Sequence, residues 1–139
     1  MKRNRMNKFL KIRLIITGII LTLTFSMKAQ TGTDLIPNDY RADEQKPTLV
    51  MFTASWCGPC QYAKDVIFKD KDVSARLGEL NLLIFDVDTP TGGKYFSSYV
   101  SAKSGIPTFL LMDKNMKVIK KKTGISSKPS DFIKFLNQL

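Results

Sequence analysis

The chain has 139 residues, enough for one domain, and its 8 Gly and 6 Pro are too sparse for a collagen-like or disordered polypeptide. A hydrophobic content of 43% can fill a core, and the formal charge of +10 invites a nucleic-acid or membrane-surface role. That invitation fails: residues 1–29 hold seven of the 22 Lys and Arg and none of the 12 acids, leaving 15 bases against 12 acids in residues 30–139. Zero His and only 2 Cys exclude most zinc and haem frameworks, so neither a metal nor a nucleic-acid partner is expected.

Lys2, Arg3, Arg5, Lys8, Lys11 and Arg13 precede the apolar run Leu14 to Phe25, the order of basic and apolar regions in a secretory signal. The run is about a dozen residues, short of the roughly 20 that a spanning helix needs. The expectation is a signal peptide over residues 1–29, cut after Ala29, and a periplasmic or secreted protein. An uncleaved anchor and a buried cytoplasmic helix are the alternatives. Residues 30–45 read as a polar leader with at most one short helix, around Asp39 to Gln45, and residues 46–139 as the domain.

Within the domain, Thr48 to Phe52 is a continuous apolar run, the pattern of a central strand buried on both faces. After Trp56-Cys57-Gly58-Pro59-Cys60, the apolar Cys60, Ala63 and Ile67 predict an amphipathic helix opened by Pro59. A second short helix is predicted over Asp72 to Leu77, stopped by Gly78, and then a strand over Leu82 to Val87, parallel to the first because the connection is helical. Gly92-Gly93 reads as a break before a helix from Lys94 to about Ala102. Thr108 to Met112 and Met116 to about Lys121, joined by Asp113-Lys114-Asn115, predict an antiparallel hairpin closed by Gly124. Phe132, Ile133, Leu136 and Leu139 trace the apolar face of a last helix behind the capping candidate Ser127. The order βαβ, helix, ββα makes an α/β fold: a mixed sheet flanked by helices on both faces.

The two cysteines bracket the start of the helix that follows the buried strand. A thiolate there meets unpaired backbone N–H groups and the positive end of the macrodipole, which lower its pKa from about 8.5 and make Cys57 the predicted nucleophile. Cys60, one turn on, is placed to attack a mixed disulfide at Cys57 and release the partner. Gly58 keeps the approach open and Pro59 stiffens the turn. A purely structural disulfide would staple almost no loop, and a metal site would lack two ligands. Trp56, beside the thiol, is read as contact surface for a docking protein, and Phe109, Phe132 and Phe135 as core. Lys120-Lys121-Lys122 reads as edge protection rather than a site.

These residues resemble the thioredoxin superfamily: WCGPC after an apolar strand, Ile106-Pro107-Thr108, Gly124 beyond a hairpin, and a closing amphipathic helix. Lys46-Pro47, the run Val66-Ile67-Phe68-Lys69-Asp70 with Val73, and Phe85-Asp86-Val87-Asp88 are similar to thioredoxin-like domains of cell-envelope thiol:disulfide interchange proteins. The resemblance implies a cis Ile106–Pro107 bond beside Cys57, with the Ile106 backbone pairing an extended substrate strand. It implies a thiol:disulfide oxidoreductase working without a cofactor other than the Cys57–Cys60 pair. The Gly-Pro dipeptide resembles that of reducing members, which implies a reductase or isomerase-supporting role on disulfide-containing client proteins; since the periplasm lacks a soluble reductant of its own, a membrane electron donor is expected to recharge it. A disulfide-donating oxidase and a non-catalytic client-binding module stay open as alternatives, and the sequence sets no oligomeric state. One departure stands out, because the buried Asp and Lys that serve proton transfer in thioredoxins are matched here by Met51 and Ile84. Asp86 or Asp88, two apart and so on one face of a strand, are the candidates to replace them.

Overall fold

The computed structural model describes residues 36–101 and 103–139. The predicted signal peptide, its cleavage point after Ala29 and the first leader residues lie outside them. Strands β1 (Thr48–Thr53), β2 (Asn81–Asp86), β3 (Thr108–Met112) and β4 (Val118–Thr123) form one sheet in the order β2-β1-β3-β4. Strand β1 pairs in parallel with β2 and antiparallel with β3, and β3 pairs antiparallel with β4. The mixed sheet flanked by helices is the architecture read from the sequence.

All six residues of β1 and all five of β3 are buried, as two central strands covered on both faces require. Their alternation feeds two cores. Leu49, Met51, Phe109 and Leu111 share one with Cys57 and Cys60 and with helices α1 (Gly58–Tyr62), α2 (Lys71–Leu77) and α4 (Pro129–Leu136). Val50, Phe52, Leu110 and Met112 share the other with Phe85 and with Tyr95 of helix α3 (Pro90–Tyr99). Ile36, in the leader, is buried in this second core. The outer strands differ: β4 carries Lys120 to Lys122 along its edge, whereas β2 leaves Leu82 and Ile84 exposed.

Helix α1 runs straight into a π-helical turn, Ala63–Ile67, closed by Phe68 N–H donating to Ala63 O at 2.8 Å. Cys60, Ala63 and Ile67 are all buried, as the spacing predicts. Asp70 then caps α2, its Oδ1 accepting from Asp72 and Val73 N–H at 3.1 and 3.2 Å. That gives the Phe68 to Val73 run a structural purpose: the ring packs on the core, the carboxylate starts the next helix and Val73 is buried.

Several boundaries differ from expectation. Helix α3 begins at Pro90 rather than Lys94 and ends at Tyr99, because Thr89 Oγ1 accepts from Gly92 N–H at 3.0 Å and Pro90 suits the first turn. Gly92 is inside the helix for a steric reason: a Cβ there would lie 1.8 Å from Asp86 O. The leader holds a 3-10 turn at Asn38–Tyr40 instead of a helix around Asp39 to Gln45. Its backbone is used by Asn81, whose side chain accepts from Asp43 N–H (3.0 Å) and donates to Asp43 O (2.7 Å) and Lys46 O (3.2 Å). Strand β4 starts at Val118, not Met116, since Asp113 Oδ1 gathers the N–H groups of Asn115 and Lys117 and lengthens the turn. Ser126, not Ser127, organises the start of α4, accepting from Lys128 N–H at 3.1 Å and bonding Asp131 at 2.8 Å. Leu139 is exposed, and Phe135 is buried with Phe132 and Leu136.

Candidate active site

The buried strand β1 delivers the chain to Ala54, whose carbonyl accepts from Cys57 N–H at 3.2 Å and turns the backbone into α1. Cys57 is the N-cap, and its Sγ and carbonyl both receive Cys60 N–H, at 3.2 and 3.1 Å. Cys57 and Cys60 are joined as a disulfide with their Cα atoms 5.2 Å apart. Cys57 keeps 4% of its surface accessible and Cys60 none. An added Cβ at Gly58 would meet nothing within 4 Å, so the outside of the turn is open. Pro59 holds the first turn.

Trp56 is 69% exposed, and its indole Nε1–H donates to Asp88 Oδ2 at 2.8 Å. Asp88 is not on a strand. β2 ends at Asp86, whose Oδ1 accepts from Asp88 N–H at 2.9 Å and folds the chain back toward Trp56. The two carboxylates therefore do not share a strand face as the sequence reading supposed, and Asp88 is engaged by the indole. Met51 stands buried in the first core, and Ile84 is exposed on β2.

The Ile106–Pro107 bond is cis. It is held from both sides: Thr108 Oγ1 donates to Gly105 O at 2.6 Å, and Gly124 N–H donates to Pro107 O at 2.7 Å. Gly124 reaches that carbonyl with φ +80°, a conformation that a side chain disfavours. Ile106 packs against both cores. With Trp56, Val87, Phe96, Ser104 and Gly105 it lines an apolar groove of about 350 Å³. Neither the N–H nor the C=O of Ile106 has a hydrogen-bond partner among the described residues. The structure thus gathers Trp56, Cys57, Cys60 and Ile106 at one end of the sheet. Val87, Phe96 and Ser104 are groove residues that the sequence did not single out, because nothing local marks them and only the fold brings them to Trp56.

A disulfide spanning the first turn of a helix, fed by a buried central strand and flanked by a cis-proline loop, defines a thioredoxin-fold disulfide protein. The chain belongs to the thioredoxin-like domain family, whose match spans residues 38–139. It is 32% identical over 90 residues to thioredoxin Y, chloroplastic, of Oryza sativa subsp. japonica, covering 65% of this chain and 49% of that protein. It is 34% identical over 93 residues to protein disulfide-isomerase erp38 of Neurospora crassa, covering 67% of this chain and 24% of that protein. The chain thus spans half or less of these relatives' lengths. Among solved structures, a thioredoxin from Thermus thermophilus superposes with a TM-score of 0.58 at 26% identity, covering 67% of this chain and 72% of that one. The C-terminal domain of DsbD from Neisseria meningitidis, in its oxidised form, also gives 0.58, at 21% identity over 68% of this chain and 81% of that one. At that identity the likeness is one of fold.

Proposed function

We propose that this protein is an exported thiol:disulfide oxidoreductase that reduces disulfides of client proteins, with Cys57 as nucleophile and Cys60 as resolving thiol. The observation that carries the reading is the Cys57–Cys60 pair at the start of α1, next to a groove lined by Trp56 and Ile106. In the dithiol form, the Cys57 thiolate is favoured by the Cys60 N–H that already points at its sulfur. It attacks one sulfur of a client disulfide, forming a Cys57–client bond and expelling the other client sulfur as thiolate. Cys60, deprotonated, then attacks Cys57 Sγ and expels the second client thiolate. Two electrons pass to the client, and the Cys57–Cys60 disulfide forms. An extended client segment laid along the groove would bond the free N–H and C=O of Ile106, with Trp56 covering its side chains.

The pair is its own electron carrier, so no further cofactor enters the reaction. Export is supported by the basic-then-apolar pattern of residues 1–29, and the reducing direction by the Gly58-Pro59 dipeptide. A reductase outside the cytoplasm needs recharging, for which a membrane electron donor of the disulfide-interchange type is the fitting partner. The test is thiol trapping in intact cells: acid quench, labelling of free thiols with a mass-adding maleimide, and one gel for processing and redox state. A processed band with both cysteines labelled is the expected result; a processed, unlabelled band points to an oxidase or a static disulfide, and an unprocessed one removes the export reading. Purified protein should reduce insulin disulfides, Cys57→Ser should abolish this, and Cys60→Ser should accumulate mixed disulfides.

A further inference from the structure

Four polar side chains are buried among the described residues: Thr48, Thr53, Asn81 and Thr108. Asn81 is bonded to the leader, and Thr108 to Gly105 O and to the Thr123 hydroxyl. Among the described residues, the hydroxyls of Thr48 and Thr53 have no hydrogen-bond partner, although an unsatisfied buried polar group destabilises a fold. The two lie at opposite ends and on opposite faces of β1. By the alternation of the strand, Thr48 is on the side of Val50 and Phe52, away from the cysteines. Thr53 is on the side of Leu49 and Met51, the core that contains Cys57 and Cys60. It is also the last residue of β1, at the strand end from which the cysteine turn departs, and its carbonyl is fixed by Val87 N–H at 2.9 Å.

A buried hydroxyl left idle on the disulfide's side of the sheet has a use once the disulfide opens. The Cys60 sulfur, with no accessible surface, then becomes a thiol that must ionise, and a thiolate in apolar surroundings is costly without a donor. We propose that the Thr53 hydroxyl, unpartnered while Cys57 and Cys60 are joined, donates a hydrogen bond to the Cys60 sulfur when they separate, assisting its ionisation and biasing the pair toward the dithiol. The bond is O–H···S⁻; Thr53 keeps its proton, and the proton lost by Cys60 goes to water. Both halves of the effect act in one direction, since the idle hydroxyl disfavours the disulfide and the bonded one favours the dithiol. The proposal rests on the thiol-disulfide reading for its biological meaning, while the equilibrium it predicts belongs to the cysteine pair alone.

The test compares the native protein with Thr53→Val, which keeps the shape and removes the hydroxyl, and Thr53→Ser, which keeps the hydroxyl. The disulfide fraction is measured in dithiothreitol redox buffers at pH 7. Thr53→Val should shift the equilibrium about fivefold toward the disulfide, about 20 mV at ~30 mV per tenfold, and move the pH profile of insulin reduction to higher pH. Thr53→Ser should stay within twofold of the native protein in both. An equilibrium and pH profile unchanged in Thr53→Val would overturn the proposal, as would a Ser variant that behaves like Val. If Thr53→Val does not fold, Thr53→Ala read against Thr53→Ser applies the same criteria. Should the native protein fail to reduce insulin, the functional reading falls, while the redox equilibrium still decides the role of Thr53.

Discussion

Removing the Asp88 carboxylate separates the orientation of Trp56 from its mere presence. The Nε1–H to Oδ2 bond is 2.8 Å long and charge-assisted, but both residues face solvent, with Trp56 69% exposed. Water can replace the carboxylate, so its net value is about 1 kcal/mol rather than the 1.5–3 of a sheltered bond to a charge. If that energy holds the indole where a client must meet it, Asp88→Ala should lower kcat/KM for insulin reduction about fivefold, since 1.4 kcal/mol is tenfold. The assay has an internal reporter: Trp56 is the chain's 1 tryptophan, so its emission and anisotropy should change in the same variant. In a Trp56→Phe background the Asp88→Ala change should cost nothing, because the partner is gone. Altered fluorescence with unaltered activity would refute the idea that indole orientation matters, and an equal loss in the Phe background would assign the effect to Asp88 itself.

Three further outcomes follow from packing and charge. Gly92→Ala puts a methyl 1.8 Å from the Asp86 carbonyl oxygen, so α3 must move off β2; urea unfolding should show a loss of roughly 2–4 kcal/mol, and a loss below 1 would mean the contact relaxes freely. Phe132, with the Phe109, Phe68 and Phe135 rings at 5.0, 5.6 and 5.8 Å, should cost about 3–5 kcal/mol when changed to Ala, read by the same unfolding curves. Burial first, and then Tyr40, pushes the Tyr95 phenol above its ordinary 10.0. The folded state thus holds that proton more tightly, so the associated stability is present below pH 10 and lost as pH rises through the folded value. The decline between pH 9 and 11 should be shallower in Tyr95→Phe, and an identical slope would remove Tyr95 as its source.

Hydrophobic period and turn chemistry carried most of the architecture, because β1, β3 and the Cys60, Ala63, Ile67 stripe answer to local rules. The errors arose where a distant group decided. Gly92-Gly93 looks like a helix breaker until Asp86 O is placed against it, and the leader residues Asp43 and Lys46 form a turn that the distant Asn81 side chain clasps. The π turn has no local signal, as no proline or glycine marks it. At the site, the cysteines were readable because strand, turn and helix are contiguous. Trp56 and Asp88 are 32 residues apart, so their bond required the β1–β2 register and the turn after Asp86. Thr53 falls just past the strand predicted over Thr48 to Phe52, and its inclusion in β1 and its burial without a partner among the described residues are visible only in the fold.

The π turn has a consequence for how the two ends of the first helix are reconciled. One end must present Cys57 and Cys60 at the rim of the sheet; the other must bring Phe68 onto the aromatic core and Asp70 to the start of α2. A regular helix ties these azimuths rigidly, at about 100° per residue. The wider Ala63–Ile67 turn takes up one residue more than an α turn would, and so works as a vernier between them. The reactive end and the anchoring end can each sit where its own neighbours demand, and the length of this helix is one residue slack: a single deletion within 63–67 would be absorbed as an ordinary α turn, whereas the same deletion between Cys57 and Cys60 would not.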